Sequence, residues 1–181
     1  MEDQIEGIKV LNLKRVLDEF CEEYVRRLKE KLLANGHKAT GNLIDSLRTE
    51  IVTTSSAIKV VLISEGYLKY VDYGRPKGGK PPYQAIRDWV DAKHLNPTGE
   101  TINRLPTEKK LDSLAYAIRE SIGKLGTMEK YGYGGHGGAY SDKVLEELLP
   151  KYGPRFEEAL QKDFEIQAKA EIDDLMGAIR L

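Results

Sequence analysis

One apolar stripe constrains this chain more than any other feature. Leu13, Val16, Leu17, Phe20, Tyr24, Leu28 and Leu32 recur at three- and four-residue steps, which stacks them on one helical face. The spacing predicts a helix from about Asn12 to Asn35. Asn12 is placed to cap its start by accepting an amide bond that the first turn cannot satisfy internally. Asn35-Gly36 supplies the left-handed residue that ends it. Glu22, Glu23, Arg26 and Arg27 cover the opposite side. A helix with one apolar face gains its stability by burying that face, so the rest of the chain must supply a partner. Cys21 falls on the stripe and reads as a small buried hydrophobe. As the single cysteine, it excludes a disulfide within the chain, and the composition fits a reducing compartment.

The sheet content is sparse. Thr49 to Thr53 and Ile58 to Ile63 are rich in β-branched residues, and Thr54-Ser-Ser-Ala57 separates them like a hairpin turn. In the second strand Ile58, Val60 and Leu62 share one face while Val61 and Ile63 take the other. A strand apolar on both faces is covered twice. The second cover is a helix, an unseen strand or another subunit, since an isolated hairpin is marginal.

The remaining chain reads as helices and loops. Thr40 or Asn42 caps a short helix carrying Leu43 and Leu47. Pro81-Pro82 opens a helix to about Lys93 with Ile86, Trp89 and Val90 inward. Residues 94–106 read as a loop. Thr107 caps a helix with Leu111, Leu114, Ala115, Ile118, Ile122 and Leu125 inward, its last turns weakened by Gly123 and Gly126. Residues 131–140 are too rich in glycine for a regular element, and a mobile loop is expected. Ser141 caps a short helix to Leu149, Gly153-Pro154 breaks the chain, and a final helix carries Phe156, Leu160, Phe164, Ala168, Ile172, Leu175 and Ile179 on one stripe.

The densest chemistry lies between Tyr67 and Tyr83. Tyr67, Tyr70, Tyr73 and Tyr83 surround Arg75, Lys77 and Lys80. Tyr, Arg and Gly in a loop suit contact with another surface. The tyrosines read equally as lids with buried rings and wet hydroxyls. The cations suit a phosphate backbone, an acidic partner or plain solvent. Gly74-Arg-Pro-Lys-Gly-Gly79-Lys80 matches a phosphate-binding loop as far as its lysine, but Pro81 stands where Ser or Thr would hold magnesium. His37, His94 and His136 are far apart and show no metal-ligand spacing. Glu146-Glu147, Glu157-Glu158 and Asp173-Asp174 fall on polar helix faces. Ser46 and Ser141 have no evident base. These residues point to no enzyme and no cofactor.

Bulk composition narrows the partners. Lys plus Arg number 28 against 29 Asp plus Glu, a net charge of −1. A dedicated non-specific DNA binder shows a basic excess instead. The first residues lack the cationic start and apolar core of a signal peptide, and no run of about 18 apolar residues occurs. A soluble chain made in the cytoplasm, with no membrane partner, is expected.

Two boxes carry a family resemblance. Thr40-Gly-Asn-Leu-Ile-Asp-Ser46 follows the long helix, and Tyr67-Leu-Lys-Tyr-Val-Asp-Tyr-Gly74 follows the hairpin. Together they resemble the tail-completion, or neck, proteins of tailed bacteriophages, which carry T-G-x-L-x-x-S and Y-A-x-Y-V-E-x-G in that order. Thr40, Gly41, Leu43 and Ser46 match the first box. Tyr67, Tyr70, Val71, Asp72 and Gly74 match the second, with Leu68 in place of a small residue and Asp72 in place of Glu. The likeness covers about residues 12–93.

The resemblance implies an α+β fold: a long N-terminal amphipathic helix packed on a small antiparallel sheet, with additional C-terminal helices. It implies residues 1–106 as a tail-completion-like core, and 107–181 then read as a helical extension that would clasp a neighbouring subunit. It implies a structural role in the virion neck, assembled in the host cytoplasm. Copies would form a six- or twelve-fold ring between portal or adaptor and tail proteins, around the packaged DNA. Tyr67, Tyr70, Tyr73, Arg75, Lys77, Lys80 and Tyr83 would then meet a neighbouring subunit or line the DNA channel. The alternative is a nucleic-acid-binding module that uses the same basic, tyrosine-rich loop.

Overall fold

The structure is a computed structural model, and it describes residues 4–5, 8–37, 41–54, 56–97, 106–128 and 140–179. Thr40, His136 and the glycine-rich segment 131–139 lie outside the described residues. In chain order the elements are β1 (Gln4–Ile5), β2 (Ile8–Lys9), α1 (Leu11–Ala34), α2 (Asn42–Ser46), β3 (Arg48–Thr53), β4 (Ile58–Ile63), α3 (Leu68–Asp72), α4 (Tyr83–Ala92), α5 (Thr107–Leu125) and α6 (Ser141–Ile179). The fold is α+β, with a long N-terminal helix, a small antiparallel sheet and C-terminal helices. Strands β1 and β2 form a separate two-residue ladder.

The chain forms two compact units. One draws on residues 1–30, 47–64 and 143–181, the other on 31–46 and 65–142. Both take residues from before and after position 106.

In the first unit the α1 stripe behaves as its spacing predicts. Val16, Phe20, Cys21, Tyr24 and Leu28 are buried. Each large apolar side chain taken from water contributes about 1.5–3 kcal/mol. The matching face of α6 supplies Val144, Leu148, Tyr152 and Ala159, also buried. Phe20 meets the rings of Tyr152 and Phe156 edge-on at 5.4 and 5.6 Å, a favoured aromatic geometry. Cys21 bonds to the Thr49 side chain of β3, and burial pushes its thiol pKa up. It is a packed hydrophobe, not an activated nucleophile. An open groove of about 630 Å³ runs past Cys21 between Lys14, Asp18, Glu22 and Arg48.

Strands β3 and β4 pair antiparallel, with Thr49 opposite Leu62 and Val52 opposite Lys59. Thr49, Ile51, Thr53, Ile58 and Leu62 are half-buried. The outer face carries Arg48, Glu50, Val52, Lys59 and Val61 in the open. The second apolar face expected for β4 is formed by Val61 and Ile63, but the strand is not covered twice: Val60 on one face and Val61 on the other are 38% and 41% exposed among the described residues.

The helix ends correct the sequence reading in several places. Asn12 does not cap α1; it lies in the first turn. The buried carboxylate of Asp163 accepts bonds there from Asn12 N at 3.0 Å and Leu13 N at 2.9 Å, and from the Asn12 side chain at 2.8 Å. These are the amides a local cap would serve. Thr107 is inside α5, whose N-cap is Pro106. The break at Gly153-Pro154 is absent: α6 runs unbroken through Pro150 and Pro154. Proline forfeits a helical bond and crowds the previous turn. Here that section is held on both sides, because Lys151 and Tyr152 bind Glu23 while Arg155 binds Glu19. Trp89 and Leu125, expected inward, are exposed. The α1 terminus follows prediction. Gly36 has φ +72°, Gly36 N donates to Leu33 O, and His37 N donates to Leu32 O, the Schellman pattern.

The α1–α6 clamp has a pH signature. A hydrogen bond from Lys151, then one from Tyr152, lowers the Glu23 pKa from 4.5 to about 2. A carboxylate depressed on folding adds stability above its unfolded pKa and loses it as pH falls through the folded value. Melting temperature should therefore fall between about pH 4.5 and 2. Glu23→Gln should flatten that slope in a pH series of thermal melts; an unchanged slope would contradict the clamp.

Candidate functional site

The tyrosine–glycine segment belongs to the second unit. Its first half forms α3, a single helical turn that the sequence reading, which took the tyrosines as lids or contacts, did not anticipate. Leu68 is buried beneath it. Tyr67 takes the N-cap position without a side-chain cap. Burial, then nearby Glu65, pushes the Tyr67 phenol pKa up, and the hydroxyl meets the backbone of Leu43. Ser46 Oγ donates to Leu43 O at 2.9 Å and accepts from Glu65 N at 3.0 Å. Tyr67 of the second box thus meets Leu43 of the first, and Ser46 of the first bonds to Glu65, two residues ahead of the second. Gly41 and Gly74 are both buried at positive φ, and Leu43, two residues after Gly41, is buried as well. Val71 is half-buried.

Asp72 is the residue whose role the sequence did not disclose. It is 1% exposed. Its carboxylate accepts from Tyr140 N at 2.7 Å, Ser141 N at 3.1 Å and the Ser141 hydroxyl. It thus caps the start of α6, where unpaired amides and the helix dipole favour a negative charge. Ser141, expected to be the cap, is instead a donor to it. Tyr73 reaches Asp142 at 3.3 Å, and His37 Nε2 lies 2.6 Å from the Tyr140 hydroxyl. Burial, then Lys93, lowers the His37 pKa.

The second half, Gly74 to Lys80, is bonded to the end of α5. Arg75 N donates to Thr127 Oγ1 and Thr127 N donates to Arg75 O, both at 2.7 Å. Gly78 N donates to Gly123 O at 2.8 Å. The Arg75 guanidinium lies 3.7 Å from the Tyr70 ring centre, a cation–π distance. Lys80 pairs with Glu120 at 2.7 Å, and its stem lies across Gly123. Arg119 donates to Pro81 O at 3.0 Å. Tyr83 and Arg87 both donate to Asp112, and the Arg87 bond is the main reason the Asp112 carboxyl pKa is lowered.

Of the seven candidate contact residues, Tyr67, Tyr70, Tyr73, Arg75, Lys80 and Tyr83 therefore have partners within the unit. Tyr67, Tyr73, Lys77 and Lys80 also present exposed surface. A phosphate cradle needs free backbone amides; those of Arg75 and Gly78 are taken, and a helix precedes the loop where a nucleotide site has a strand. The loop receptors Gly123, Gly126 and Thr127 were missed in the sequence. Their only local signal is two glycines at a helix end, read there as weakness.

Among the described residues no group of three or more His, Cys, Asp or Glu could hold a metal ion, and no helix is long and apolar enough to cross a membrane. The acidic pairs at 146–147, 157–158 and 173–174 are exposed. No family model matches the chain, and no curated protein or solved structure matches it either.

Proposed function

We propose that this chain is a structural virion protein of a tailed phage, a ring subunit of the head–tail joint. Six or twelve copies would surround the DNA path in the neck, meeting portal or adaptor proteins on one side and tail proteins on the other, after assembly in the host cytoplasm. The observation that carries the reading is the meeting of the two boxes: Tyr67 of the second bonds to the Leu43 backbone of the first, and Ser46 of the first bonds to Glu65, two residues ahead of the second. Residues of both boxes thus belong to one compact unit. An outer hairpin face with exposed valines adds support, since repeated subunit contacts cover such surface. The role needs binding surfaces and no reaction, so we read the chain as non-enzymatic.

The test is assembly. Purified chain mixed with portal and tail components should yield a ring-shaped species by electron microscopy. A monodisperse monomer that stays monomeric on mixing would count decisively against the neck reading.

The nucleic-acid reading has one favourable observation: Tyr73 and Lys77, four residues apart, are both exposed. It is the weaker of the two because Arg75 and Lys80 already face groups of the chain. Single-stranded DNA at low salt should bind weakly. Tight binding that collapses with added salt, and that Lys77→Ala abolishes, would reverse this ranking.

A further inference from the structure

The far half of α6 carries an apolar stripe left uncovered among the described residues. Phe164, Ile172, Leu175 and Met176 are between 47% and 64% exposed. At about 100° per residue this stripe lies roughly opposite the face that buries Leu148, Tyr152 and Ala159. It therefore does not continue the packed face, and the single stripe expected from Phe156 onward divides in two. A second uncovered apolar surface belongs to the same unit: Val52 and Val61 on the outer face of the hairpin are 40% and 41% exposed.

The two surfaces match in length and charge. Thirteen helical residues and six strand residues each span about 20 Å. At about 100° per residue, Glu165 and Glu171 flank the stripe against Lys169, which is 1 − 2 = −1, while Asp173 and Asp174 fall on the other side of the helix. The hairpin face carries Arg48 and Lys59 against Glu50, which is 2 − 1 = +1. Two copies of the α6 stripe laid together would oppose −1 with −1. The stripe on the hairpin opposes −1 with +1 and buries apolar surface on both sides.

We infer that the exposed stripe of α6 from one copy docks on the outer hairpin face of the next copy. The contact is heterologous: each subunit offers its helix to one neighbour and its hairpin to another. Such a contact propagates and closes into a ring when its rotation allows. It rests on the proposed ring role, whose subunit-to-subunit surface it names. It also gives the C-terminal helix a purpose within the joint.

Two exposed substitutions separate this interface from its rivals. Leu175→Asp disables the helix stripe. Val52→Asp disables the hairpin face and places its carboxylate opposite Lys59, a favourable cross-strand pair, so the hairpin keeps its fold. Circular dichroism and thermal melts verify both. Sedimentation velocity at high micromolar concentration should show the unaltered chain associating and each variant alone at least tenfold weaker. The two variants mixed should form a one-to-one dimer and nothing larger, because the mixture retains a single working interface.

Val52→Asp chains that self-associate like the unaltered protein would overturn the inference in favour of stripe-to-stripe pairing. A mixture that stays monomeric would overturn it outright, as would an unaltered chain that never associates. The ring role is separately exposed to failure. Rings without the mixed dimer would remove this interface and leave the ring; a mixed dimer alongside open filaments of the unaltered chain would keep the interface and remove the closed ring.

Discussion

Replacing Asp72 with Ala should destabilise the protein by about 3 kcal/mol, lowering the melting temperature by about 6–12 °C. The carboxylate is buried and accepts from two backbone amides and a hydroxyl. Alanine would leave the amides of Tyr140 and Ser141 without their acceptor at a helix start, where loss of a local cap alone costs about 1 kcal/mol. Burial raises the penalty, because water reaches the vacated amides poorly. Asp72→Asn is the informative companion. Its oxygen can still accept both amide bonds, and the Ser141 hydroxyl can rotate to accept from the new amino group. The asparagine variant should therefore lose less than half as much. Hydrogen exchange adds a local reading: the first amides of α6 should lose protection in the alanine variant and largely retain it in the asparagine variant. Equal losses in both would mean that charge, rather than hydrogen bonding, holds the helix start.

The sequence disclosed what local periodicity controls. The α1 stripe from Val16 to Leu32 is buried as its spacing requires, and Gly36 ends the helix as its left-handed preference requires. The hairpin follows from two β-branched runs. Termini stabilised at a distance were not legible. Asp163 serves α1 across 150 residues, and Asp72 serves α6 across 69; nothing near Asn12 or Ser141 names either partner. A local rule therefore nominated the nearest polar residue, which in each case became a donor to the true cap. The prolines of α6 misled for the same reason. Gly153-Pro154 is a strong local stop, but Tyr152 and its charged neighbours hold the helix against α1. The α6 stripe was read as one because four-residue steps drift around a helix, carrying Phe156 and Leu175 to different sides. In the candidate site, the sequence picked out the tyrosine–glycine segment and both boxes. It could not tell which cations have partners, since Glu120 and Thr127 lie dozens of residues beyond Arg75 and Lys80.

Gly126→Ala should release the loop from Gly74 to Lys80 and cost about 2–4 kcal/mol. Gly126 ends α5 at φ +68° and ψ −170°, a region that only glycine enters without strain. A Cβ there would lie 2.6 Å from Arg75 O and 2.8 Å from Lys77 N. Both are backbone atoms, so no side-chain rotation relieves the overlap. The loop must lift instead, which breaks the reciprocal bonds between Arg75 and Thr127 and strains the Gly78 bond to Gly123. Gly123→Ala provides the contrast. Its Cβ would lie 2.6 Å from Lys80 Cγ, a side-chain rather than a backbone atom, so a change of the Lys80 χ1 rotamer can relieve the overlap at the cost of its pair with Glu120. That partly exposed ion pair is worth about 0–1 kcal/mol, and alanine favours the helix by about 1 kcal/mol. The Gly123 variant should melt near the unaltered protein, while the Gly126 variant melts well below it and exchanges the amides of Arg75, Gly78 and Thr127 rapidly. The same Gly126 variant bears on the site. If the loop works as a fixed contact surface, releasing it should weaken binding to portal or tail components beyond the loss of folded protein. Full binding by a folded but unlatched loop would remove Tyr73 and Lys77 from the contact.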